Sequence, residues 1–307
     1  MTLSQATGRP YRAVSANLIC MASMLIWSAG LPAADVLIGK LPPLTITGIR
    51  MALAGLALIP VWWAMEGRAA LRGAPWGRGI LVGGLGFGFC AFLILLAQAW
   101  TDAVTVAVIL ATMPVVGIAL ECLLDGRRLT IATVAGVILS LAGGLVAYAA
   151  RMGSFSLGLG ALAAFGSVFA YTWGSRATVV AFPMLSSMGR ATITLAGAGI
   201  ATALAAAAAV AVGIEPAPDW TRVGWPEVAA MAVYAIGSLS VTQALWIMAV
   251  GHLGIGAASM HMNATPFYVM LFLFALGGGW NWIQALGAVI VVLGVLVAQG
   301  LLPPRRP

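Results

Sequence analysis

Residues 77–99 read GRGILVGGLGFGFCAFLILLAQA, and this stretch decides the fold class. It runs for 23 residues with a single charge, Arg78, near its start. An α-helix crosses the hydrocarbon core of a bilayer with about 20 apolar residues. An isolated strand there leaves backbone groups unpaired in lipid. A transmembrane barrel alternates apolar and polar positions over about ten residues, whereas this run is continuously apolar. It therefore predicts a membrane-spanning helix. Gly79, Gly83, Gly84, Gly86 and Gly88 read as a packing face, because small residues four apart let helix backbones approach.

Runs of the same kind lie on both sides. The predicted spans are 13–36, 44–65, 77–99, 103–123, 130–149, 157–179, 184–212, 226–250, 254–277 and 282–301. Short polar breaks separate them: Lys40-Leu41-Pro42-Pro43, Glu66 to Trp76, Thr101-Asp102, Asp125-Gly126-Arg127-Arg128, and the acidic loop from Glu215 to Pro226. Composition agrees. Hydrophobic residues make up 62% of the 307 and charged residues only 7%, against about 25% charged in a soluble domain. The first run is longer than a signal-peptide core and many spans follow, so it reads as a helix that is retained.

The net charge of +7 does not point to nucleic acid, since the arginines punctuate loops. With ten spans both termini share one side. That side collects Arg9, Arg12, Arg68, Arg72, Arg78, Arg127, Arg128, Arg176, Arg305 and Arg306, and the other holds Lys40, Arg151 and Arg222. Cytoplasmic loops carry the Lys/Arg excess, so both termini are predicted cytoplasmic.

The halves 1–150 and 151–307 resemble each other. Pro43 to Arg50 parallels Pro183 to Arg190, with a proline opening a helix and an arginine seven residues on. Ala111-Thr-Met-Pro114 parallels Asn263-Ala-Thr-Pro266, and Leu-Ala-Gly-Gly at 141–144 parallels Val-Leu-Gly at 292–294. Five spans in the first copy force the second to insert upside down. That is the inverted-topology repeat of secondary transporters.

Cys20, Cys90 and Cys122 sit in apolar runs with no metal spacing, and no ATP-binding loop, His-Glu-x-x-His or Gly-x-Ser-x-Gly occurs. No enzymatic activity, metal or cofactor is expected. Pro114 and Pro266 are predicted kinks near the middle of the fourth helix of each half. Each would free a carbonyl, those of Leu110 and Met262, at a gate beside a central cavity. Polar side chains at membrane depth face a cavity or another helix. The predicted cavity lining is Trp27, Gln98, Trp100, Thr112, Trp173, Gln243, Trp246, His261, Asn263 and Tyr268. His261 and Thr265, four apart, are expected on one helix face, as are Gln243 and Trp246. Trp62, Trp63, Trp76, Trp220, Trp225, Trp280 and Trp282 fit an interfacial belt. Arg50 and Arg190 either attract a substrate carboxylate or snorkel from helix ends.

Ile26-Trp27-Ser28, Pro43 to Arg50, Met113-Pro114, Pro266 and the glycine-rich ends of the fifth and tenth helices together resemble the drug/metabolite transporter superfamily, in its EamA-like branch. The order of these motifs is similar to that of YddG-type bacterial amino acid exporters. The resemblance implies ten helices in two inverted five-helix repeats around a central cavity, in the bacterial inner membrane. It also implies export of aromatic and other amino acids or related metabolites by alternating access. Many relatives carry Gly-Glu after the fourth helix, where this chain has Asp125-Gly126-Arg127-Arg128. The alternatives are the same fold with another cargo, such as a drug cation or a nucleotide sugar, or a non-transporting membrane scaffold. The expected partners are a small-molecule substrate and the lipid bilayer.

Overall fold

The computed structural model describes residues 10–37, 39–100, 109–149, 158–275 and 277–300. Among these, helices dominate and no strand forms. In chain order they are α1 (Pro10–Ser28), α2 (Gly30–Leu37), α3 (Pro43–Arg72), α4 (76–100), α5 (Met113–Asp125), α6 (Ile131–Ala149), α7 (Leu159–Ala181), α8 (Ser187–Ala211), α9 (Trp225–Leu253), α10 (255–275) and α11 (Trp282–Ala298). Among the described residues four stretches are long and apolar enough to cross a membrane: Pro43–Arg72, Trp76–Ile94, Ser187–Ala211 and Trp225–Leu253.

Several helices are interrupted, and the interruptions recur. The first span breaks at Ala29, whose N–H turns back to the Ile26 carbonyl at 3.2 Å. Gly84–Gly88 of α4 and Val233–Val241 of α9 wind as π-helix, a form that concentrates at functional sites. In α10, a 3-10 turn over Met260–Ala264 separates two α-helical pieces. Gly67, at φ 79, bends α3 and turns its last residues away from the main rod.

Small residues set which helices touch. In bilayers, association depends on close packing and not on expelling water, so interfaces favour small residues. Gly48 meets Thr202 and Ala206, Gly55 meets Ala196, and Gly199 meets Ala52. These pairings make α3 and α8 antiparallel neighbours. A Cβ on Gly83 would lie 1.8 Å from the Thr194 carbonyl oxygen, which brings α4 backbone to backbone with α8. Gly136 and Gly143 of α6 meet Gly294 and Gly287 of α11, again antiparallel. Gly117 of α5 meets Gly256 of α10, and Gly86 of α4 meets Gly174 of α7. Ser23 of α1 and Thr242 of α9 exchange hydrogen bonds, each hydroxyl donating to the other's carbonyl at 3.3 and 3.2 Å.

Two carboxylates bind at the helix starts of the opposite half. The first four N–H groups of a helix lack intrahelical partners, and a carboxylate is favoured there. Glu215, after α8, accepts from the N–H groups of Leu44 (2.7 Å) and Thr45 (3.3 Å) at the start of α3. Glu66, late in α3, accepts from the hydroxyl of Ser186. Ser186 is the N-cap of α8 and itself accepts from Gly189 N–H at 3.0 Å. Thus the loop after α8 caps the first turn of α3, and the end of α3 binds the N-cap residue of α8.

Three local expectations change. Pro183 does not open α8: it lies in a turn, and Ser186 supplies the cap. Pro114 and Pro266 are not mid-helix kinks. Pro114 occupies the first turn of α5 after a turn at 111–112, and Pro266 the first turn of the second piece of α10. A proline there removes an N–H that has no helical partner. The Met262 carbonyl is not free either, since Thr265 N–H donates to it. Finally, Trp62 leaves the predicted belt: it is fully buried against Gly189 and its ring lies 6.1 Å from that of Trp76. Trp63, Trp220, Trp225, Trp280 and Trp282 are exposed, as a belt requires.

Candidate functional site

The buried polar groups of the second half lie at the interfaces between helices. Trp246 on α9 is fully buried, and its indole N–H donates to Ser175 Oγ of α7 at 3.0 Å. Its ring lies 6.0 Å from Tyr171, which is 5.4 Å from Phe87 of α4 in an edge-on contact. Such pairs are favourable beyond the area they bury. Gln243, one turn before Trp246, is buried, and its Nε2 has no hydrogen-bond partner among the described residues. Buried amides are ordinarily satisfied, so this is a donor held open in the core.

Two further groups sit apart. His261, Tyr268 and Asn17 line a pocket of about 50 Å³ with Val291 and Val295, between α1, α10 and α11. The His261 ring Nδ1 is 3.2 Å from the Ala258 carbonyl. Asn17 and Gln299 exchange amide hydrogen bonds of 2.6 and 2.9 Å at this seam. Asn263 instead faces α6: its Nδ2 donates to Ser140 Oγ at 3.0 Å, and its Oδ1 has no partner. The 3-10 winding explains the split. With three residues per turn, His261 shares a face with Ala264, and both line the pocket. The face predicted for His261 with Thr265 assumed a regular α-helix. Thr265 is buried with an unpartnered hydroxyl.

The remaining predicted residues lie elsewhere. Trp173 is half-buried and packs with Trp62 and Ile193, a cluster distinct from that of Trp246. Thr112 uses its hydroxyl on the Ile109 carbonyl at 2.6 Å, within the turn before α5. Trp27 is half-buried on α1. The side chains of Gln98, Trp100 and Pro266 lie outside the described residues, as do Asp102 and Arg151. Trp246 thus packs with Ser175 and Tyr171, and Tyr171 with Phe87, while Gln243 is buried one turn away from Trp246. Sequence reading missed Tyr171 and Phe87. The signal for Tyr171 was a phenol deep in the sixth predicted span, four residues before Ser175.

Charged groups close one end of the helix array. Glu121 of α5 is buried and accepts from Gly256 N–H of α10 at 3.0 Å, while Arg127 donates to its other oxygen. Gly254 and Gly256 leave room for this carboxylate: a Cβ on Gly254 would lie 2.3 Å from Glu121 Oε1. Beside it Arg176 of α7 grips Asp125 with two hydrogen bonds, the Nε one at 2.8 Å. At the opposite end Lys40 pairs with Glu227 at 3.7 Å. Cys20 and Cys90 are buried free thiols, and Cys122 is half-buried. Among the described residues no group of histidines, cysteines and acids is placed to hold a metal.

Residues 14–149 match the EamA-like transporter family. The "Uncharacterized transporter YyaM" of Bacillus subtilis (strain 168) is 34% identical over 79 residues, which is 25% of this chain and 25% of that protein. The match thus spans about a quarter of the relative's length. A solved crystal structure of a protein superposes with a TM-score of 0.78 at 25% identity, covering 95% of this chain and 99% of that one. The first half of the chain is thus similar to a transporter family, and nearly the whole chain shares its fold with a solved structure.

Proposed function

We propose that the chain is a secondary transporter that exports aromatic and other amino acids, or related small metabolites, across the bacterial inner membrane. Ten spans form two inverted five-helix repeats, 1–150 and 151–307, with both termini cytoplasmic. The two halves open in turn around the space between them.

One observation carries this reading: irregular winding occurs at matching places in the two halves. The third span of each half contains a π segment, Gly84–Gly88 and Val233–Val241. The fourth is broken just before a proline, at Pro114 and Pro266. Non-helical backbone at membrane depth is tolerated where protein or a water-filled cavity covers it, and broken helices line the sites of inverted-repeat carriers. The helix contacts follow the same exchange. α3 with α8, α5 with α10 and α6 with α11 are pairs of equivalent spans, and the hydrogen bonds of Glu66 and Glu215 link the first of these pairs.

The ion pairs at Glu121 and Asp125 fall on the end that carries the arginine excess, so they close the cytoplasmic side. The aromatic set Phe87, Tyr171 and Trp246, with the open amide of Gln243, suits a cargo with an apolar body and a polar head. A proteoliposome uptake screen with labelled amino acids, run with and without a pH gradient, tests this. Saturable entry of at least one aromatic amino acid is expected. No flux of any amino acid under either condition would remove the cargo assignment.

A further inference from the structure

We infer that Arg50 binds the carboxylate of the transported molecule. The inference rests on the transport reading and adds the chemical class that the site accepts.

Arg50 is the eighth residue of α3 and the only charged side chain between Pro43 and Met65. A rise of about 1.5 Å per residue places its Cα about 10 Å into the helix. A snorkelling arginine stretches its head to the interface. Here the guanidinium turns inward instead and lies flat on Tyr234 of α9, with Cζ 3.8 Å from the ring centroid. Its Nε donates to the Tyr234 carbonyl at 3.3 Å.

The guanidinium has five donors in a fixed fork. Only Nε is used: among the described residues no acceptor is bonded to either terminal nitrogen, and no carboxylate pairs with Arg50. The acids at this end are already engaged, Glu215 on the first turn of α3 and Glu227 on Gly224 N–H and Lys40. Ionisable groups inside spans are expensive and almost always paired, so an arginine with its fork open marks a place where an anion arrives. The fork matches a carboxylate bidentately.

The sequence counterpart behaves differently. Arg190 donates from Nε to the Phe182 carbonyl (2.8 Å) and from Nη2 to the Pro183 carbonyl (3.1 Å), tying down the turn before α8. Two arginines that look alike in sequence thus separate into a structural one and an open one. A carboxylate at Arg50 would place an attached apolar or aromatic body beside the Tyr234 ring.

The purified full chain in lipid nanodiscs is titrated with L-phenylalanine, 3-phenylpropionate, L-phenylalaninamide and phenethylamine, with tryptophan fluorescence as the readout. In the unmodified chain the two acids are expected to bind at least tenfold more tightly than the amide and the amine. Arg50→Gln is expected to bring the acids to the level of the amide. Arg50→Lys is expected to fall between, since an ammonium lacks the fork. Equal binding of acid and amide, an acid preference that survives Arg50→Gln, or no binding of either acid overturns the assignment. The comparison within the unmodified chain needs no variant to fold. Solute flux without acid preference would sink this inference and leave the transport reading standing. Acid binding without flux of any solute would do the reverse.

Discussion

Gly83→Ala is expected to destabilise the chain by about 3 kcal/mol, near the upper end of overpacking costs. The added Cβ would lie 1.8 Å from the Thr194 carbonyl oxygen. The obstacle is helix backbone, so no side chain can rotate away. Alanine is a better helix former than glycine by about 1 kcal/mol, and that gain opposes the clash. The clash wins, because α4 and α8 must separate and lose contacts along their whole crossing. Gly77→Ala is the internal control: it lies in the same helix, and a Cβ there meets nothing within 4 Å. Thermal unfolding in detergent, followed by size-exclusion profile, should show a large fall for Gly83→Ala and none for Gly77→Ala. Equal behaviour of the two would mean that the α4–α8 crossing is not as close as described.

Glu121→Ala should have the next largest effect, a loss of about 2–3 kcal/mol. It leaves Gly256 N–H and the Arg127 guanidinium without their acceptor. An unsatisfied buried donor costs about 1–3 kcal/mol, and more when a charged group is involved. Arg127→Ala should cost under about 1 kcal/mol. Its side chain is 31% exposed against 9% for Glu121, and exposed pairs contribute little. The asymmetry separates a helix cap from a simple ion pair. Equal losses for the two variants would assign the stabilisation to the pair instead. Glu121→Gln, which can still accept from Gly256, should recover part of the loss.

The helical, apolar character of the chain was legible in the sequence, because lipid demands long apolar runs and loops collect charge. The predicted 77–99 and 226–250 correspond to helices over 76–100 and Trp225–Leu253. What faces what was not legible. In lipid, a helix face toward a neighbour and a face toward acyl chains are equally apolar, so periodicity does not mark the inner side. Trp62 read as belt because only Gly189, 127 residues later, makes room for it. Pro114 and Pro266 read as kinks because an apolar run conceals its own break. The break becomes visible only through the Thr112 hydroxyl on the Ile109 carbonyl and the 3-10 turn at Met260–Ala264.

The placement of the buried polar groups was legible in part. Gln243 and Trp246 share a face as their spacing of three suggested, and both are buried. The other predicted lining residues scatter: Trp173 joins the Trp62 cluster, Asn263 turns to Ser140, and His261 lines the small α1–α11 seam. The 3-10 turn rotates each successive residue by about 120°, against about 100° in an α-helix, so an α-helical wheel misplaces every residue beyond it. Arg50 and Arg190 could not be told apart before their partners were known.

The central claim is that two halves open in turn, one end closing as the other opens. Paired spin labels measure it directly. One pair spans the Asp125–Arg176 end on α5 and α7, and a second spans the Thr45–Glu215 end on α3 and the loop after α8. Distances are read in nanodiscs across a titration of L-phenylalanine. The account predicts two populations in which a long distance at one end accompanies a short distance at the other, with the ligand shifting their ratio. Both ends lengthening together would indicate a channel, and distances fixed at both ends throughout would indicate a static scaffold. Either result would contradict alternating access.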